Sequence, residues 1–224
     1  NLKIKQSNYN LSSQNTDEFI KTEKYYTCNL SNSDGELKIY NQFSNTFLQT
    51  GKKYNDIIHL LNSEKANKNI IYFNSPKQIE RFSREFANSI QNTAINIEEV
   101  SITISDFIHP DYNLINCIKK GIVYHHGGMP EIIRLYVEDI FSKRSDLNYV
   151  ITSSTLLEGV NIPAEKIFLL SIKKGRGNLS VSQFKNLIGR INRFSEIFNS
   201  ENGDLKLLEP NIYIVKTDYE HKKA

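Results

Sequence analysis

Three observations predict an α/β fold with a mostly parallel central sheet flanked by helices and preceded by a β-hairpin extension. From residue 69 onward, short apolar runs alternate with segments of helical period. Hydroxyl, proline or glycine residues stand at the junctions between them. Parallel strands also need a long crossover, and a helix is the usual one.

The elements follow in order. Residues 1–22 are polar and aperiodic and read as an arm or linker. Residues 23–66 form an extension. Within it, the β-like runs Glu23 to Leu30 and Glu36 to Phe43 flank Asp34-Gly35, a turn signal, and Tyr54, Ile57, Ile58 and Leu61 space out one amphipathic helix over Gly51 to Leu61. Residues 67–224 form the main domain. Asn69 to Phe73 reads as a buried strand, and Ser75-Pro76 opens a helix with Ser as cap and Pro at its first position. That helix buries Ile79, Phe82, Phe86 and Ile90, with Glu80 and Arg84 paired on the wet face. Further strands are expected over Gly121 to Tyr124, Asn148 to Thr152, Lys166 to Ile172 and Asn211 to Val215. Helices are expected from Pro130, with Ile133, Tyr136, Val137 and Ile140 inward, and from Val181 to Arg193.

Composition excludes several classes. The chain has 224 residues and 39% hydrophobic content, enough for one large or two small globular domains whose core needs no disulfide or metal staple. Cys28 and Cys117 are too sparse for a disulfide framework, and no apolar run nears the roughly 18 residues of a membrane span. The expectation is a soluble cytoplasmic chain without a membrane partner. A net charge of +3 allows a nucleic-acid partner without demanding one. His125-His126 lacks further histidines or cysteines at ligand spacing, so no metal site is assigned, and no G-x-S-x-G elbow marks a hydrolase.

Three segments carry candidate chemistry. In Ser182 to Arg193, Arg190 and Arg193 lie one helical turn apart and can present two guanidinium forks to one anion. Gly189, inside that helix, costs about 1 kcal/mol against alanine unless something approaches the backbone. In the loop from Ser153 to Ala164, hydroxyls and backbone N–H groups can hold phosphate oxygens, and Gly159 permits a turn from which Asn161 could reach a sugar hydroxyl. Asn74-Ser75-Pro76-Lys77 puts a hydroxyl and an amine at another strand-to-helix junction.

In order and distance these segments resemble motifs IV, V and VI of superfamily 2 helicases, in the second, C-terminal RecA-like domain, and the resemblance is nearest to the Ski-like DExH branch. Ile70 to Ser75 is similar to motif IV, Gly121 to Met129 to the segment with paired histidines, Thr155 to Pro163 to motif V, and Asn186 to Arg193 to motif VI. The resemblance covers residues 69–215. It implies that ATP with Mg²⁺ is bound mainly by a first RecA-like domain, while Arg190 and Arg193 reach the γ-phosphate as arginine fingers. It also implies that Gly159, Asn161 and Gly189 face the nucleotide, and that Asn74, Ser75, Lys77, Ser153 and Thr155 touch the backbone of single-stranded RNA or DNA. Ile191-Asn192 stands where the family has a small pair, and Ser153 where threonine is commoner.

No G-x-x-x-x-G-K-[ST] occurs, Gly51-Lys52-Lys53 lacks the earlier glycine and the hydroxyl, and Asp17-Glu18 lies in the polar arm. The expectation is that the chain is part of a longer ATP-hydrolysing helicase whose N-terminal RecA-like domain precedes it, and that it does not hydrolyse ATP alone. The alternative is a RecA-like module that has lost catalysis and serves binding.

Overall fold

Six strands run parallel through the middle of the protein: β1 (Lys24–Asn29), β4 (Asn69–Tyr72), β5 (Ile122–His125), β6 (Tyr149–Thr152), β7 (Lys166–Leu169) and β10 (Asn211–Lys216). The structure is a computed structural model and describes residues 23–31, 34–91, 95–154, 164–189 and 209–220. Two antiparallel strands, β2 (Glu36–Asn41) and β3 (Thr46–Lys53), extend the sheet beyond β1, giving the order β3-β2-β1-β10-β7-β4-β6-β5. A separate short hairpin pairs β8 (Lys173–Lys174) with β9 (Gly177–Asn178).

The helices are α1 (Ile57–Ser63), α2 (Pro76–Ser89), α3 (Glu98–Phe107), α4 (Asn113–Ile118), α5 (Glu131–Lys143) and α6 (Val181–Ile188). Side chains alternate across a strand, so register sorts them onto two faces. Tyr26, Tyr213, Phe168, Ile71, Ile151 and Tyr124 share one row. On that face Phe86 of α2 meets Tyr149 edge-on at 4.9 Å, and Tyr112 beside α4 meets Tyr124 at 6.3 Å. On the other face Tyr25 stacks on Phe184 of α6 and His125 meets Glu138 of α5. Strands β4, β5 and β6 are buried at every residue, as a parallel sheet covered on both sides requires. The architecture is the expected α/β one, a large and mostly parallel sheet flanked by helices, and it matches a RecA-like fold.

Several local expectations are corrected. Gly51 to Lys53 is strand, not helix: β3 runs through it, with Gly51 at φ 77° where the β2 register shifts between Glu36 and Lys38. The helix starts later, at Ile57, with the Asp56 carboxylate accepting from His59 N–H at 2.8 Å. Gly35 is the turn glycine the sequence marks, at φ 52°, and a Cβ there would lie 2.1 Å from the Tyr54 carbonyl oxygen. Helices α3 and α4 were not foreseen. Tyr136 is only half-buried, whereas Glu138, two residues further into α5, is buried. Glu80 pairs with His126 rather than Arg84, because the β5 loop brings an imidazole nearer than the neighbouring helical turn does.

Candidate functional site

Since six strands are parallel, the chain leaves all of them at one edge of the sheet. From β4 the chain passes by way of α2 to α4 to β5 on one side, while from β6 it crosses back over β4 to β7 on the other. Such a reversal opens a crevice at the carboxyl ends of the strands, where open α/β sheets bind ligands. The segments 73–77, 125–129, 153–154 and 170–172 all gather there.

Phe73 N–H donates to the Thr152 carbonyl at 2.8 Å, so the β4 and β6 exits are joined, and Asn74, Ser75, Lys77 and Ser153 come to the same edge. Ser75 occupies the N-cap of α2 with Pro76 at N1, yet its hydroxyl makes no capping hydrogen bond. Lys77 is exposed on the first turn, and Ser153 is buried. The 14-residue α2 thus presents its N-terminal N–H groups at this edge, a place where backbone dipoles favour an anion.

Asn74 is committed elsewhere. Its Nδ2 donates to the Gly175 carbonyl at 2.8 Å, and its Oδ1 accepts from Gly175 N–H at 2.7 Å. One amide therefore clamps both backbone polar groups of one residue in the β8–β9 turn, 101 residues away. From the buried end of β4, Tyr72 Oη donates to the Lys173 carbonyl at 2.9 Å, and Ser171 Oγ accepts from Lys173 N–H at 3.2 Å. The hairpin Lys173-Lys174-Gly175-Arg176-Gly177 went unassigned in the sequence reading. Its signal was there: three cations around two glycines directly after an apolar strand.

The two histidines diverge. His126 Nδ1 accepts from Gly128 N–H at 3.2 Å, so Nε2 carries the proton and donates to Glu80 Oε1 at 3.0 Å, tying the β5 loop to α2. His125 is fully buried with Nε2 3.5 Å from Glu138 Oε1. Burial, followed by Arg134 and His126, pushes its pKa down to about 3. Among the described residues no group of three or more His, Cys, Asp or Glu could hold a metal ion, and no helix is long and apolar enough to cross a membrane. Next to this edge Tyr219, in a 3-10 turn over Asp218–Glu220, accepts Gln78 Nε2 on its carbonyl at 2.5 Å and packs its ring under Arg81 and against Phe73 and Phe82.

Arg190, Arg193, Gly159, Asn161 and Thr155 lie outside the described residues. Gly189 follows α6 with helical angles, and its N–H donates to the Lys185 carbonyl at 2.8 Å. Ser180 caps the start of α6 in a capping box with Gln183, so this helix is anchored at its beginning by local sequence alone.

The described structure is a RecA-like α/β sheet whose strand exits gather hydroxyls, cations and the N-terminus of α2 at one edge. Sequence comparison finds similarity to helicases. The chain is 25% identical over 165 residues to the antiviral helicase SKI2 of Saccharomyces cerevisiae, covering 66% of this chain and 13% of that protein. It is 26% identical over 165 residues to the ATP-dependent DNA helicase Hel308 of Thermoplasma volcanium, covering 70% of this chain and 24% of the relative. To the helicase POLQ-like protein of Caenorhabditis elegans it is 36% identical over 84 residues, 37% of this chain and 9% of that one. The chain therefore spans 9–24% of the length of these curated relatives. No protein-family model matches it. The similarity supports a helicase-superfamily domain.

Proposed function

We propose that this chain is the C-terminal RecA-like motor domain of an ATP-dependent superfamily 2 helicase or translocase, of the Ski-like branch. The observation that carries the reading is the convergence of the exits of β4, β5 and β6 on one edge of a parallel sheet, in a chain similar to helicases over two thirds of its length. ATP with Mg²⁺ would be held mainly by an N-terminal RecA-like domain of the same parent, and supplies the free energy of phosphoryl transfer when bound. From this chain Gly159, Asn161 and Gly189 would border the nucleotide. Arg190 and Arg193 would neutralise charge that builds on the terminal phosphoryl oxygens, a contribution worth about 10³ to 10⁵ in rate.

Ser75, Lys77 and Ser153 at the same edge, together with Thr155, would contact phosphates of a single strand of RNA or DNA. Hydroxyls, one amine and a helix N-terminus recognise phosphate rather than base, so this grip is blind to sequence. Arg190→Ala and Arg193→Ala, each in the full-length parent, are expected to lower strand-stimulated ATP turnover at least about 10³-fold while single-strand binding survives. Unchanged turnover in both variants would leave a binding module without catalysis as the reading.

A further inference from the structure

Glu80 and Arg84 stand one turn apart on α2, the spacing at which opposite charges pair on a helix. Here they do not pair. His126 draws the Glu80 carboxylate to its own ring at 3.0 Å, and Arg84 is left exposed with no carboxylate at salt-bridge distance among the described residues. Elsewhere on the helices the pairing rule holds, for Arg81 has Glu85 and Lys143 has Asp139.

What Arg84 faces instead is a hollow. A cavity of about 370 Å³ lies between α2 and α4, with Arg84 on one wall and Tyr112, Ile115, Asn116 and Lys119 on the other. Those four recur at helical spacing, so a single face of α4 and its flanks forms that wall. Lys119 is exposed and, like Arg84, has no carboxylate partner among the described residues. Two cations from two helices therefore border one concavity. The acid at its end, Asp111, is turned to water, its side chain 92% exposed and 3.8 Å from His109 Nδ1. Between the charges the surface is apolar, with Ile115 buried and the Tyr112 ring half-buried. Behind it, burial pushes the Cys117 thiol up to about 12 while Asn113 and the Arg84 charge pull against it, so the guanidinium lies close to the seam of the two helices.

We propose that the hollow between α2 and α4 binds a carboxylic acid with an apolar body, held by Arg84 and Lys119 and kept open by the diversion of Glu80 to His126. A guanidinium fork takes both oxygens of a carboxylate side by side, and the lysine adds a point charge. The apolar wall takes the rest of the molecule, and the volume falls at the small end of ligand cavities, which run from about 300 to 1,000 Å³. A chain of phosphates fits poorly, because Glu80 and Glu85 flank Arg84 and Asp111 closes the end, so every charge after the first meets a like charge. Arg84 sits about 12 Å along α2 from the strand-exit edge, so this site stands apart from the nucleotide and strand contacts inferred above and neither reading depends on the other.

The test titrates N-acetylphenylalanine into the chain while backbone amide resonances are followed by NMR. The amides of Asn113, Asn116 and Lys119 are expected to shift and saturate, and N-acetylphenylalaninamide, the neutral counterpart, is expected to leave them in place. Arg84→Gln and Lys119→Gln are each expected to weaken binding at least about tenfold, the loss of one charge-assisted hydrogen bond. Both side chains are exposed, so the remaining resonances of each variant report an unchanged fold. Acetyl-triglycyl-phenylalanine presents the same carboxylate at a peptide terminus. Tighter binding of this peptide assigns the ligand to a chain end and tighter binding of the amino acid to a free organic acid, and either result sustains the site. No saturable shift up to about 10 mM probe, an equal response to the amide, or unchanged binding in both variants overturns it. Displacement of the probe by a single-stranded oligonucleotide overturns it as well, since the hollow would then belong to the strand path.

Discussion

His125 and His126 are adjacent in sequence and opposite in environment. Successive residues at a strand end face opposite sides of the sheet, so one ring enters the layer against α5 and the other reaches Glu80 on α2. The pair was visible in the sequence, but its division was not, since that depends on which helix covers which face. A titration follows. An ordinary histidine ionises near 6.5, whereas burial of His125 lowers its value to about 3. Between those values the unfolded chain binds a proton that the folded chain refuses, so stability falls as pH drops from about 6.5 towards 3. Urea denaturation across this window is expected to show a shallower loss in His125→Gln than in the wild type. Equal losses would place the acid sensitivity elsewhere.

Elements are held together by a buried polar group that no local sequence pattern singles out. Glu64, the C-cap residue of α1, accepts from Lys52 Nζ of β3 at 2.7 Å, Tyr54 Oη at 2.6 Å and Tyr213 Oη of β10 at 2.9 Å. Lys166 of β7 donates to its backbone carbonyl at 2.7 Å. Burial by itself would raise this carboxyl, yet the hydrogen bonds from Lys52, Tyr54 and Tyr213 outweigh it and hold the pKa below the ordinary range. Glu64→Ala leaves one cation and two buried phenols without their acceptor, and is expected to cost about 3–5 kcal/mol in chemical denaturation. A loss below about 1 kcal/mol would mean the cluster relaxes into solvent. The same region explains the misread helix start. Gly51, Lys52 and Lys53 carry no strand signature of their own, and become strand because Glu36 of β2 pairs with Lys53 and Glu64 receives Lys52. By contrast α2 and α5 were legible because their signals are local: a hydroxyl or proline at the start and an apolar stripe at helical spacing.

At the scale of the molecule, the N-terminal strands are part of the central sheet. β1 pairs with β10 over six residues, from Lys24 with Asn211 to Asn29 with Lys216, and Tyr26 stacks on Tyr213, which stacks on Phe168, each at 4.7 Å. Removing residues 23–53 would strip a parallel strand from β10 and bare this aromatic row beside an unpaired edge. Such a truncation is expected to aggregate in light scattering at concentrations where the whole chain stays dispersed, and a monodisperse, folded product would show that the remaining strands suffice.

Alternation, caps and turn glycines are written within a few residues of each other. The sequence by itself therefore determined that parallel strands and helices alternate, where α2, α5 and α6 begin, and that four helicase-like segments occur in order. It did not determine partners. A period-2 or fully apolar run records that a strand is covered, not which strand lies beside it, so the placing of β1 against β10 and the passage from β6 across β4 to β7 belong to the tertiary structure. The same holds for Asn74 on Gly175 and Tyr72 on Lys173, contacts 101 residues apart whose geometry exists only once the sheet has set its strand order.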